Sequence, residues 1–521
     1  MPSNNEKLKY NVVFNVSIII SIIITAYGLL FGEGMGKLAG TLMHGVTVYF
    51  GWFYLLLVAA FVVFNFWMAF GRYGSIVLGP DGSKPEFSTI SWFAMLFGSG
   101  MGIGIIFWGF AEPITHFAKP PFGLVPGSEA AAQFSMLASF MHWALHPWSC
   151  FGAMGLALAY FQFRKGYPGL ISSLFVPLIG KERVAGPIGK LIDIIAVIAT
   201  ILGVCTSLGL GTMQINGGLS YLLGVPNSPM SWLAIVVAIA FLYIWTAVSG
   251  VDSGIKLIGN INLALAMLLL VASFIVGPTL FDLNILTNTI GSYFQNIIIE
   301  SFKLNTFGDN DWTRNWRVFY WAWWLAWAPF VGTFIARISK GRTIREFVLG
   351  VMIIPSIIAA LWFSVMGGLG LNLINIIGLE KLTEYASSPE TAFVNIFAHY
   401  PFGTVLDVIV ICLVATFFVT SANSATYVLG MLTDNGAMFP AKKKLLIWGI
   451  LQAIMAYSLM LSGGLTALQT ASIAGAFPFL FVMIGGCAGL VLALSKEKLP
   501  VSKVAEYEEA AEDNVADLNL R

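Results

Sequence analysis

The sequence predicts an all-α membrane protein of 12 transmembrane helices, with two leading helices followed by two inverted five-helix repeats. Three observations predict it. The chain has 521 residues, 58% hydrophobic and 10% charged, with mean hydropathy +0.83, which excludes an ordinary soluble domain. Twelve apolar segments are long enough to cross about 30 Å of hydrocarbon. Two of them, five apart, are interrupted midway by glycine or proline.

The segments run 12–34, 48–71, 89–117, 133–163, 187–222, 230–249, 255–278, 315–338, 344–372, 401–432, 443–463 and 468–494. They divide the chain into a polar N-tail (1–11), two leading helices (12–71), a first repeat (89–278), a second repeat (315–494) and an acidic C-tail (495–521). The polar head precedes a long apolar span without a small-residue cleavage site, so it is expected to be retained. Between the repeats, 283–305 places Ile285, Ile290, Tyr293, Ile297, Ile298 and Phe302 at helical spacing among polar residues, which predicts an amphipathic surface helix. With the N-terminus inside, the inner loops hold Arg72, Arg164, Lys165, Arg337, Lys340, Lys442 and Lys443, among others, whereas outer loops hold scattered lysines. This bias predicts a multi-pass protein of the cell membrane with both termini cytoplasmic. Net charge +1 gives no pointer to nucleic acid. Cys150, Cys205, Cys412 and Cys487 lie in apolar segments without paired spacing and read as small core residues.

The third span carries Gly98-Ser-Gly-Met-Gly-Ile-Gly104 and the eighth carries Ala328-Pro-Phe-Val-Gly332. Both are expected to break their helices, which a membrane tolerates where protein or a water-filled site satisfies the freed backbone. Close helix packing is the simpler reading of a glycine run, but Gly98, Gly100, Gly102 and Gly104 alternate and cannot all face one neighbour. Because five is odd, the two five-helix units have opposite orientations, the arrangement of secondary transporters with a midplane site.

Trp321, Trp323, Trp324 and Trp327 fall within about 160° of one helix face. An interfacial belt would sit at a span end and point several ways; one face of indoles suits a quaternary ammonium, which offers no N–H donor. The fourth span adds His142-Trp-Ala-Leu-His-Pro-Trp-Ser-Cys-Phe151, with further rings at Trp143, Trp148 and Phe151. His142 and His146 have metal-ligand spacing without a third matching ligand, so histidines hydrogen-bonded between helices are expected. Thr420 and Ser421 in the tenth span either bond back to their own helix or meet the carbonyls freed near Gly98 and Met101, a neutral oxygen shell of the kind Na⁺ accepts.

Tyr320-Trp-Ala-Trp-Trp-Leu-Ala-Trp-Ala-Pro-Phe-Val-Gly332, Gly100-Met-Gly-Ile-Gly104, His142-Trp-Ala-Leu-His-Pro-Trp148 and Phe418-Val-Thr-Ser-Ala422 together resemble the betaine/carnitine/choline transporter (BCCT) family, over nearly the whole chain. The resemblance implies a LeuT-like fold and a homotrimer bridged partly by the amphipathic helix. It places an ammonium cage at Trp143, Phe151, Trp324 and Trp327, with Trp148 behind it and Trp321 and Trp323 lining the route. Met101 and Ser207 would touch the substrate carboxylate. One sodium would take the carbonyls of Gly98, Met101 and Phe417 and the hydroxyls of Thr420 and Ser421. A second would use Thr200 and Phe330, where Val204 replaces the family's other threonine. Gly104 stands where proton-coupled choline carriers resemble one another in having Asp, and the seventh span lacks the arginine that replaces sodium in a carnitine exchanger.

These residues imply a sodium-coupled symporter for a trimethylammonium zwitterion, most simply glycine betaine, serving osmoprotection and needing no cofactor beyond Na⁺ as coupling ion. Carnitine, choline and dimethylsulfoniopropionate are the alternatives within the class, and a channel outside it. No nucleophile–base or metal constellation points to an enzyme.

Overall fold

The computed structural model describes residues 11–100, 102–249 and 252–497. Apart from an isolated bridge between Val77 and Thr343, the regular structure of these residues is helical. Nine of the described helices are long and apolar enough to cross a membrane.

Helix α1 (Val12–Leu30) starts at Asn11, whose side chain accepts the Phe14 N–H at 3.2 Å, an ordinary N-cap. Helix α2 (Gly32–Phe70) follows after one residue. The expected connection at 35–47 is therefore helical: without proline, those residues extend a helix that the apolar half already nucleates. Helices α3 (Thr89–Gly100) and α4 (Ile103–Ala118) share one apolar segment, interrupted where Gly102 takes φ −122°, ψ −144°.

The fourth span is also broken, contrary to the continuous segment read at 133–163. Helix α5 (Glu129–Trp143) stops at Ala144 (φ −94°, ψ −120°) and α6 (Leu145–Ala159) restarts beyond it. Pro147 explains the break, since it has no N–H for the Trp143 carbonyl and its ring would crowd that carbonyl. Helices α7 (Pro187–Leu223), α8 (Pro229–Ser249), α9 (Asp252–Val276) and α10 (Thr279–Phe302) follow. Gly224 ends α7 in a left-handed conformation (φ 68°), bonding back to Leu219 and Ser220.

Helix α11 (Phe319–Ile338) corrects a second expectation, because it runs unbroken through Pro329 and Gly332. Gly332 serves close packing instead. A Cβ there would lie 2.7 Å from Met154 Cγ and 3.1 Å from the Gly155 nitrogen of α6, so the two helices cross nearly backbone to backbone. Helices α12 (Ile344–Asn372), α13 (Gly403–Leu432) and α14 (Lys442–Leu494) complete the set. A capping box of Thr343 and Glu346 opens α12. Gly464 (φ 57°, ψ −132°), in a region open to glycine, divides the 53-residue α14 into two arms.

The core centres on α11. Its apolar window is 89% buried, against 22% for α8, which places the tryptophan-rich helix in the middle of the bundle and not in a peripheral belt. Cys150 and Cys205 are buried, but Cys412 is exposed on α13, so it is not a core residue.

Helix α10 turns Asp282, Tyr293, Glu300 and Ser301 inward and leaves Phe294, Ile298 and Ile299 exposed. Neither Asp282 carboxylate oxygen has a hydrogen-bond partner among the described residues, and burial pushes its carboxyl up to about 7. A carboxyl whose folded value is raised binds its proton more tightly folded than unfolded, so stability is lost as pH rises from the ordinary carboxylate range through about 7. Asp282→Asn is therefore expected to match the unmutated protein in thermal stability at pH near 4 and to exceed it increasingly towards pH 8; a difference constant over that range would refute the assignment.

Candidate functional site

Helices α5, α6 and α11 build one aromatic cluster, and the break at Ala144 separates its two sources on the fourth span: Trp143 ends α5, while Trp148 and Phe151 ride on α6. Trp324 meets Trp143 edge to face at 4.9 Å between centroids and Phe151 at 6.0 Å, and stacks on Trp323 at 5.0 Å. Trp327 joins through Trp323 at 6.4 Å and touches Phe330 at 5.5 Å. Trp148 packs behind Phe151 at 5.6 Å. Trp321 diverges from this group and stacks on His146 at 5.1 Å. All seven rings named for the site in sequence are buried.

Indole N–H groups fix the ring planes. Trp324 Nε1 donates to the His142 carbonyl at 3.0 Å, an acceptor made available next to the Ala144 break, and Trp327 Nε1 donates to the Gly203 carbonyl of α7 at 2.9 Å. Trp321 and Trp323 have buried indole nitrogens without a partner among the described residues. Gly104 does border the rings: a Cβ there would be 2.7 Å from Trp323 and 3.1 Å from Trp143. The Ser207 hydroxyl is buried and has no partner among the described residues, a state that suits a group offered to a polar ligand.

Sequence reasoning missed Glu112. This fully buried carboxylate of α4 collects donors from three helices. Its Oε1 accepts from His142 Nδ1 at 2.6 Å and faces His116 Nε2 at 3.4 Å; its Oε2 accepts from Trp143 Nε1 at 2.9 Å and Tyr320 Oη at 2.5 Å. The signal was present, since an acid in an apolar span demands partners and histidines were at hand. Glu112, His116 and His142 also offer ligand atoms within 4.8 Å of one another. Their arrangement suits hydrogen bonding better than a metal. The 2.6 Å contact is shorter than the roughly 3.3 Å between two ligands of one tetrahedral ion. Trp312 Nε1 donates to His116 Nδ1 at 3.2 Å, which leaves the proton on the Nε2 that faces Glu112. His142 and His146 do not converge: His146 Nε2 pairs with Ser301 of α10 at 2.8 Å.

The two hydroxyls on α13 diverge. Ser421 Oγ lies beside Gly102, 3.3 Å from where a Cβ would stand, and so faces the α3–α4 break. Thr420 Oγ1 contacts its own helix carbonyls, Thr416 and Phe417, at 3.2 Å each and accepts from Asn262 Nδ2 of α9 at 3.0 Å. Asn262 was not anticipated; its amide oxygen is buried and has no partner among the described residues. Phe417 is buried nearby on the same helix, Gly98 is exposed at the end of α3, and Met101 lies outside the described residues. Thr200 donates to the Ala196 carbonyl of its own helix at 2.8 Å, and Val204, one turn on, is buried.

Two cavities lie at opposite ends of α11. One, of about 460 Å³, is bordered by Lys119, Phe122, Asn305, Asp309 and Trp312. The other, of about 440 Å³, is bordered by Phe330, Arg337, Asn423 and Tyr427. The packed rings stand between them.

The model of the BCCT, betaine/carnitine/choline transporter family matches residues 12–499. The chain is 46% identical over 492 residues to a probable glycine betaine transporter of Desulfitobacterium hafniense, covering 94% of this chain and 98% of the relative. It is 44% identical over 501 residues to the glycine betaine transporter OpuD of Bacillus subtilis (95% and 96% covered). It is 42% identical over 495 residues to an ectoine/hydroxyectoine transporter of Virgibacillus pantothenticus (94% and 98% covered).

Proposed function

The chain belongs to the betaine/carnitine/choline transporter family, and from that premise we propose that it is a sodium-coupled symporter importing a trimethylammonium zwitterion, most simply glycine betaine, by alternating access. The observation that carries the reading is the contiguous run of rings Trp143, Phe151, Trp324, Trp323 and Trp327 between two separate cavities. An aromatic box with separate access from either side suits a carrier that holds one solute at a time, whereas a channel would line its path with charged or carbonyl rings. Aromatic faces attract an ammonium that cannot donate hydrogen bonds. The unpartnered Ser207 hydroxyl is the polar group offered to the solute's carboxylate.

Twelve spans in two inverted five-helix repeats, the LeuT-like arrangement, accommodate the breaks at Gly102, Ala144 and Gly464. The exposed apolar residues of α10 suit lipid or a neighbouring subunit of a homotrimer. A sodium beside the α3–α4 break would draw first on Ser421, with carbonyls of Gly98, Met101 and Phe417, and Thr420 would join it by turning from its own helix carbonyls and Asn262. Val204, which brings no oxygen where the family's other threonine would stand beside Thr200, favours a single ion over two.

Uptake of labelled glycine betaine, carnitine, choline and ectoine into proteoliposomes, under sodium or potassium gradients, tests the proposal. Betaine uptake should be saturable and sodium-driven, and equal rates in potassium would disprove symport. Thr420→Ala combined with Ser421→Ala should abolish the sodium response while leaving the ring cluster folded.

Selectivity supplies a separate test. Gly104→Asp places an anion against Trp323 and Trp143, and Trp323 must shift to admit it. Betaine uptake should fall by about tenfold or more, while choline, a cation without a carboxylate, should gain relative to betaine. A betaine-to-choline ratio that does not move would remove Gly104 from the solute's surroundings.

A further inference from the structure

A cavity of about 200 Å³ opens between α9, α10 and α12, and none of the rings of the candidate site borders it. Its walls are apolar, Leu270, Val271, Phe274 and Leu361 among them, except for Asp282 of α10 and Ser364 of α12. Val271, Leu283 and Leu361 on its rim are exposed, in the apolar belt that a bilayer covers. With the orientation that the Lys/Arg bias predicts, the end of α9 and the start of α10 put this cavity in the outer leaflet.

The two polar residues are unlike their surroundings. Both are buried, and Asp282 Oδ1, Asp282 Oδ2 and Ser364 Oγ have no hydrogen-bond partner among the described residues. Ser356, on the same helix as Ser364, bonds back to the Met352 carbonyl at 2.6 Å, the usual resort of a serine in an apolar helix. Ser364 does not. The Asp282 carboxylate lies against α12 where Gly368 leaves room, since a Cβ at that position would collide with Oδ1. No cation offsets its charge: desolvation alone acts on the carboxyl. The Tyr400 phenol, which feels that charge, already donates to the Leu369 carbonyl at 2.7 Å.

Three orphaned acceptors around one cavity match the three N–H donors of one primary ammonium. An acid without a counter-ion in an apolar wall calls for a cation, and a short side chain held by no hydrogen bond is free to turn towards one. The exposed apolar rim calls for hydrocarbon chains. We propose that this cavity binds a lipid whose headgroup ends in a primary ammonium, with Asp282 and Ser364 as its acceptors, so that the headgroup ties α10 to α12. A trimethylammonium lipid has no N–H to offer them. The pairing stabilises the fold because it replaces a buried, uncompensated carboxylate by an ion pair whose donors are satisfied. This inference is independent of the solute carried.

The test is a lipid titration of the purified full-length protein in detergent at pH 8, where the carboxyl is ionised, with melting temperature read against lipid mole fraction. Dioleoyl phosphatidylethanolamine should reach half of its stabilising effect at about a tenth of the mole fraction that dioleoyl phosphatidylcholine needs, the difference made by charge-assisted hydrogen bonds. The N,N-dimethyl lipid, with one donor left, should fall between them. Asp282→Asn keeps the shape without the charge and should bring the midpoints of the two lipids together. Equal midpoints in the unmutated protein, or a preference that survives in Asp282→Asn, overturn the site. An equal rise from free ethanolamine also overturns it, since the ligand would then be a soluble amine. So does a preference present in oligomers and absent from monomers, which would give the cavity to a neighbouring subunit.

Discussion

Glu112→Ala is expected to cost about 3–5 kcal/mol of folding stability, because it strands buried donors that have no water to turn to. The carboxylate is the shared acceptor for His142, Trp143 and Tyr320, with His116 close by, and these groups join α4, α5 and α11. Lost folded yield and a lowered melting temperature in detergent are the measurements. Glu112→Gln separates positioning from stability. Its shape is retained, but whichever way the amide turns, its NH2 confronts N–H or O–H donors. The variant should fold with Trp143 loosened, and betaine affinity should fall by about tenfold, the loss of one charge-assisted hydrogen bond. A glutamine variant equal to the unmutated protein in both stability and affinity would show that the cluster does not set the ring geometry.

Trp324→Ala should weaken betaine binding at least tenfold, since a desolvated cation–π contact contributes about 2 kcal/mol or more. Its ring adjoins Trp143, Trp323, Tyr320 and Phe151, so it bridges the rings of the fourth span and those of α11. The truncation also empties a buried volume, worth about 3–5 kcal/mol of stability. Binding must therefore be compared with Trp324→Phe, which retains a π face and part of the volume and should recover part of the affinity. Calorimetric titration with betaine in sodium buffer reads both variants. Affinity unchanged in a folded Trp324→Ala protein would exclude Trp324 from the cage.

The helical membrane architecture was legible in the sequence because hydropathy and span length are summed locally, residue by residue along one helix. The Gly98–Gly104 interruption was legible for the same reason, and so was the gathering of indoles on α11. Family identity followed from contiguous motifs, which the sequence displays directly. Tertiary structure decided where competing local signals resolve. Pro329 and Pro147 look alike in sequence, yet α11 continues through the first while the fourth span breaks before the second. The difference lies in neighbours: Gly332 must pass close to α6, and the broken turn at Ala144 leaves the His142 carbonyl to accept Trp324. Adjacent Thr420 and Ser421 share a motif but face Asn262 and Gly102 on different elements, because successive residues of a helix point 100° apart. Glu112 was one acid in an apolar helix until folding brought His142, 30 residues away, and Tyr320, 208 residues away, onto its two oxygens. Such pairings between distant segments depend on which helix faces pack together, and local periodicity carries no record of them.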